Sequence, residues 1–339
     1  MKRAGQNKGF TIVEMLTVMG IIAILIGLLV PALNQVKDYS KQIQQKSQFH
    51  SIDVALELFK TEFGAYPESY DNIDPFNNSN VKYASATSYC GANKLAEALV
   101  GLDLLGFHPN SDFRATGQND VIGKDGAKIS NTLIYKASGN TANWQTADEN
   151  IRARKGPYID FENANVFRMN EVYTATHLGL AGTFGANYTD PIYGASYPLV
   201  LGDVYAKRRS ATNSKKTGTP ILYFRARTNY NEQNCLRYQN GTTAVAVATG
   251  IQDDIYYLSD NYTMLKLNSV DDSTVAHPLA GASQDDACQI FEDKIVNKQV
   301  TTLRRPYRAG SYILVSAGKD GLYGTADDIF NFDKGSDQQ

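Results

Sequence analysis

Lys8-Gly9-Phe10-Thr11-Ile12-Val13-Glu14-Met15-Leu16 leads into the one stretch of this chain apolar enough to cross a lipid bilayer. From Met15 to Val36 there are 22 consecutive residues without a charge, mostly Ile, Leu, Val, Met, Ala and Gly. A helix needs about 20 such residues to span the hydrocarbon core. Ahead of it, residues 1–9 carry Lys2, Arg3 and Lys8 and no acid. Positive residues stay on the cytoplasmic side, so the pattern predicts a single-pass anchor with everything after Val36 outside the cytoplasm. A secretory signal would end its apolar run at a small-residue cleavage site. Here the run passes through Pro31 and Ala32 into Asn34-Gln35-Val36-Lys37, and the segment reads as retained.

Glu14 does not suit a plain anchor. A carboxylate at bilayer depth costs several kcal/mol unless it is paired or lies near the surface. Two readings stand side by side: an interfacial Glu that reaches the headgroups, or a carboxylate that needs a cationic partner. No Lys or Arg lies within a helical turn on its C-terminal side, so such a partner would have to come from elsewhere.

The segment from Lys8 to Leu16 resembles the class III signal of type IV pilins and type II secretion pseudopilins. The resemblance rests on the short basic leader, Gly-Phe-Thr, the placement of Glu14, and Pro31 at the family's helix-kink position. It implies that a prepilin peptidase cuts after Gly9 and that the new amino terminus, Phe10, is N-methylated. It also implies a partner for Glu14, the positive amine of Phe10 on a neighbouring subunit during filament assembly. The partners that follow are other copies of the chain or related subunits in a helical filament, the peptidase, and an assembly platform in the bacterial inner membrane. The filament itself would then be periplasmic or extracellular.

The rest of the N-terminal segment fits one long helix over residues 10–63. Pro31 lacks an N–H and predicts a weakened turn at 27–31. Gly20, Ala23 and Gly27 give a small face that another helix could approach, although small residues are also simply common in membrane helices. Phe49, Ile52, Leu56, Phe59 and Phe63 recur at spacings of 3 and 4, the stripe of a helix packed on a core. Gly64 and Pro67 end it. Residues 10–63 would extend about 80 Å, more than any bilayer, so the second half must pack on a soluble head.

That head, residues 64–339, reads as α+β with an antiparallel sheet. Clusters of β-branched and aromatic residues predict strands at 132–136, 220–228, 243–249 and 312–316. Helices are expected at 93–105 and 284–297, the second with Ser283 and Asp286 as a capping box. The fold implied by the resemblance is pilin-like: a leader over 1–9, a helix over 10–63, and a head with insertions near 70–155 and 230–300.

The C-terminal stretch Tyr312-Ile313-Leu314-Val315-Ser316-Ala317-Gly318-Lys319-Asp320-Gly321-Leu322-Tyr323-Gly324-Thr325-Ala326-Asp327-Asp328-Ile329 narrows the resemblance toward the major pseudopilin. It is similar to that family's last strand and calcium loop. Shorter echoes are Phe63-Gly64-Ala65-Tyr66-Pro67, Gly156-Pro157-Tyr158-Ile159 and Asp190-Pro191-Ile192-Tyr193-Gly194. Calcium takes six to eight oxygens, and Asp320, Asp327 and Asp328 put three carboxylates close together among glycines that can turn carbonyls inward. Chemistry alone favours a Lys-Asp-Gly hairpin turn with solvated acids. The resemblance implies Ca2+ at loop 316–329. Asp253-Asp254 and Asp271-Asp272 lack such glycines and read as solvated loops, and Lys124-Asp125-Gly126 reads as a turn.

Averages over the whole chain of 339 residues conceal this organisation. A formal charge of −2, 33 basic against 35 acidic residues, excludes a strongly cationic binder of nucleic acid. The mean hydropathy of −0.34 is that of an ordinary soluble protein only because it averages a membrane-grade helix with a polar head. Four histidines lack metal-ligand spacing, and no catalytic motif is present. The chain is expected not to be an enzyme. Three cysteines allow one disulfide, with Cys235–Cys288 the pairing favoured here. Lys207-Arg208-Arg209 and Lys215-Lys216 form a basic patch without interleaved aromatics, better read as a solvated hairpin than as a nucleic-acid surface. The expected function is a structural filament subunit of a type II secretion pseudopilus, with a type IV pilus subunit as the alternative.

Overall fold

The computed structural model describes residues 10–69, 89–113, 118–135, 143–160, 164–173, 199–205, 208–209, 216–231, 254–257, 261–265, 277 and 284–334. The chain divides into two compact units, Met1–Gln44 and Gln45–Gln339. Helix α1 (Ile12–Phe63) contributes its first part to one and its second part to the other. In the first unit the side chains from Phe10 to Leu33 are exposed apolar groups for the most part, as a helix made to be solvated by lipid or by other helices would be. Its helix is long and apolar enough to cross a membrane. It also remains α-helical through Pro31, so the weakened turn expected at 27–31 does not break it.

The second unit is an α+β head. Its elements in chain order are α2 (Gly91–Val100), β1 (Gln118–Ile122), β2 (Lys128–Leu133), α3 (Ala147–Ala153), β3 (Val166–Arg168), α4 (Met169–Val172), β4 (Leu199–Leu201), β5 (Arg208–Arg209), β6 (Lys216–Thr217), β7 (Leu222–Arg225), α5 (Tyr262–Leu265), α6 (Gln284–Ile295), β8 (Tyr312–Ser316) and β9 (Ile329–Phe330). Every ladder is antiparallel: β1 with β2, β3 with β4, β5 with β6, and β8 between β7 and β9. An antiparallel bridge at Gly202 and Pro220 joins β4 to β7, with Ile221 N donating to Leu201 O at 2.7 Å. The principal sheet therefore runs β3-β4-β7-β8-β9.

Within this unit the second part of α1 lies on that sheet. Phe49, Ile52, Ala55, Leu56 and Phe59 are buried, the stripe expected from their spacing. They share a core with Leu95 and Leu99 of α2, Leu199 and Leu201 of β4, and Tyr312 and Leu314 of β8. Each fully buried large apolar side chain contributes about 1.5–3 kcal/mol. Two buried glutamines on the same helix supply polar partners: Gln48 donates to Gly202 O at 2.8 Å, and Gln45 accepts from Val204 N at 3.0 Å. Tyr312 of β8 donates to Asp53 at 2.7 Å. Gly64 follows the helix with φ +78°, the left-handed stop its sequence announced.

Two expected elements come out shifted. The helix foreseen over 93–105 stops at Val100, because Gly101 turns at φ +77° and Gly106 N bonds back to Val100 O at 2.9 Å. The strand foreseen over 132–136 ends at Leu133, since the carbonyl of Ile134 is taken by Asn150 at 2.9 Å and Arg154 at 3.2 Å instead of by a neighbouring strand. The strand expected over 243–249, Ser283, and the Cys235–Cys288 pairing lie outside the described residues or side chains. Of the basic patch, the backbone of β5 and β6 forms the expected hairpin. Asp254, expected to be solvated, is buried.

A smaller core sits over the principal sheet's neighbour, the β1–β2 hairpin: Tyr89, Leu102, Val121, Ile134, Tyr135 and Trp144. His108 is buried beside it, with Asn110 N donating to Nδ1 at 3.1 Å and Nε2 facing Gln145 Oε1 at 3.2 Å. These partners select the neutral Nε2–H tautomer. Burial, with Arg154 adding to it, lowers the ring to about 4 from 6.5, against the pull of Gln145. The unfolded chain then binds one more proton than the folded one between these values, so stability is full above pH 6.5 and falls as pH drops toward 4. The expected loss is about 3 kcal/mol across that window. Urea titrations at several pH values should show His108→Gln losing less over the window than the native chain; parallel curves would exclude this role.

Candidate functional site

Two places carry the residues singled out by the sequence. The first is the start of α1. Thr11 Oγ1 accepts from Glu14 N at 3.3 Å, while Glu14 Oε2 accepts from Thr11 N and from Thr11 Oγ1, both at 2.8 Å. This is a reciprocal capping box, and it answers the question of Glu14 within the free chain: the carboxylate is held by its own helix terminus. The signal was present as Thr-x-x-Glu. Phe10 is 79% exposed immediately ahead of this cap. Gly9 lies outside the described residues.

The second place is the loop between β8 and β9. It is anchored on the sheet by Ser316, which donates to buried Asp203 at 3.0 Å, and by fully buried Tyr323, whose hydroxyl donates to Pro220 O. Gly318, Gly321 and Gly324 all have positive φ, as the loop's glycine pattern required. Asp320 and Asp327 are brought together: Asp320 N donates to Asp327 Oδ2 at 2.9 Å, and Thr325 Oγ1 donates to Asp327 Oδ1 at 2.6 Å. Asp320 Oδ1 accepts from Leu322 N at 2.8 Å. Burial raises the Asp320 carboxyl and Asp327 adds to it; at Asp327 burial is outweighed by Thr325 and backbone donors, which lower it.

Asp328 goes its own way. Its side chain is 1% exposed, Oδ2 accepts from Gly324 N at 2.9 Å, and Lys294 of α6 reaches the same oxygen at 3.2 Å. The Lys294 ammonium also bonds the carbonyl of Thr325. Oδ1 of Asp328 is buried with no hydrogen-bond partner. Burial pushes this carboxyl up to about 6 although Lys294 pulls it down. Among the described residues no three His, Cys, Asp or Glu side chains converge as a metal-holding group. Four of the six oxygens of Asp320, Asp327 and Asp328 accept from N–H or O–H donors, and an ammonium stands at Asp328. In this arrangement the three carboxylates alone do not form a cage for a calcium ion.

Residues 5–30 match the prokaryotic N-terminal methylation motif. Prepilin peptidase-dependent protein A of Clostridium perfringens is 31% identical over 102 residues, 30% of this chain and 72% of that protein.

The chain belongs to the type IV pilin and pseudopilin family.

This family consists of structural subunits that form filaments, rather than enzymes. Type II secretion system core protein G of Pseudomonas aeruginosa is 32% identical over 69 residues, 20% of this pilin-like chain. The chain spans about half of that relative's length, 49%. No solved structure matches it. The long α1 and the antiparallel head are the fold that the sequence predicted.

Proposed function

We propose that this protein is a prepilin cut between Gly9 and Phe10, anchored in the inner membrane by the first part of α1, and assembled through that helix into a filament. The observation that supports this most is the run of exposed apolar side chains from Phe10 to Leu33, most of it within the methylation motif. Such a surface is stable in lipid or among identical helices, and costly in water. The cut removes Lys2, Arg3 and Lys8 and leaves a positive amine at Phe10, next to the carboxylate of Glu14. Assembly then exchanges the Thr11 contacts of Glu14 for the amine of a neighbouring subunit.

The filament we favour is a pseudopilus of type II secretion. The C-terminal strand–loop–strand of β8 and β9 and the likeness to core protein G support it. Intact-mass spectrometry of the chain from a host with prepilin peptidase should give a protein beginning at methylated Phe10. A chain still starting at Met1 would overturn the proposal. Deletion of the gene should abolish export of folded proteins; loss of twitching or surface pili with export intact would instead assign the subunit to a type IV pilus.

A further inference from the structure

We propose that the Lys294 ammonium is the resident cation of the loop between β8 and β9, and that calcium enters this loop only when the ammonium is removed. Asp328 is almost fully shielded from water, and an unpaired charge there would be strongly destabilising. Gly324 N alone does not neutralise it. Lys294 does, and it simultaneously satisfies the Thr325 carbonyl. One ammonium thus meets a carboxylate and a backbone carbonyl of the same turn, a pair of oxygens that a hard cation would also take. It does so from the last turn of α6, where a cation further offsets the negative helix end.

The remaining oxygens show why a second cation is excluded while Lys294 is docked. Asp327 is committed to Asp320 N and Thr325 Oγ1, and Asp320 to Leu322 N. Asp328 Oδ1 is buried without a partner, and it belongs to the carboxylate that Lys294 already neutralises. With the ammonium gone, Asp328 Oδ1 and the Thr325 carbonyl would be open to a hard divalent ion, while Oδ2 keeps its bond from Gly324 N. This inference concerns the head alone and holds whichever filament the subunit builds.

The test is thermal unfolding of the full chain in detergent micelles, with EGTA and with about 1 mM added calcium, the range of weak extracellular sites. The native chain should melt at the same temperature in both. Lys294→Met should melt about 5 °C or more lower in EGTA and recover in calcium. The double variant Lys294→Met with Asp328→Asn, which removes both charges, should regain stability in EGTA and ignore calcium. A native chain that melts lower in EGTA would overturn the proposal, because calcium would then be the resident ion. So would a Lys294→Met chain that is unaffected in EGTA, or one that calcium fails to rescue, since plain packing loss behaves that way.

Discussion

Arg154→Met should cost the head about 3–5 kcal/mol, the usual result of removing one partner from a buried ion pair. The Arg154 and Asp103 side chains are 3% and 5% exposed, and their Nη2–Oδ2 distance is 3.1 Å. Arg154 also donates to Asn150 Oδ1 at 2.8 Å and to the carbonyls of Gly106 and Ile134 at 3.3 and 3.2 Å, and lies 4.5 Å from the Tyr135 ring. Methionine fills much of the volume but leaves Asp103 without its cation and the Gly106 carbonyl without the Arg154 donor, while the Ile134 carbonyl keeps only Asn150. Burial already raises the Asp103 carboxyl, and Arg154 is the main influence holding it down. Without the arginine, the folded chain would hold a proton there that the unfolded chain gives up. The deficit of the variant relative to the native chain should therefore shrink as pH falls. Denaturant melts of both chains at matched pH would measure it. A cost below about 1 kcal/mol, in the range of surface pairs, would show that the pair is not the anchor of this region.

Gly318→Ala is the second large effect. Gly318 has φ +67°, and a Cβ there would sit 2.2 Å from the backbone oxygen of Asp327. A left-handed residue with a side chain costs about 1–2 kcal/mol by itself. The collision is with main chain, which cannot rotate away, so the turn linking Asp320 to Asp327 must open. We expect a total loss of about 3 kcal/mol or more and new protease cleavage between residues 318 and 329. Gly126→Ala provides the comparison, because Gly126 has φ +80° and open space around it. It should cost only about 1 kcal/mol. Equal effects at the two glycines would mean that the close approach of Asp327 is unimportant.

The parts legible in the sequence are those written in local pattern. The membrane-grade run and its cationic leader depend only on neighbouring residues, and the stripe from Phe49 to Phe59 follows from helical period. Helix α6 and strand β8 emerged at nearly the expected bounds for the same reason. What could not be read depends on distant chain. Lys294 and Asp328 are 34 residues apart, and nothing in either segment announces the other. Spacing located three aspartates, but not which of their oxygens were already committed to Leu322, Thr325 or Gly324. Ile134 and Tyr135 look like strand continuation until the side chains of Asn150 and Arg154 claim the backbone. The order β3-β4-β7-β8-β9 likewise needs the Gly202–Pro220 bridge, which has no sequence signature.

Strand β8 lies between β7 and β9 in the sheet, and its Tyr312 bonds to Asp53, 259 positions earlier in the chain. Asn331 reaches the same carboxylate at 3.3 Å. Such contacts close only after the intervening polypeptide has been made, and long-range closure is slow. The head therefore cannot mature in step with the ribosome. An emerging chain would wait with its head incomplete until residues 312–331 arrive to complete its sheet.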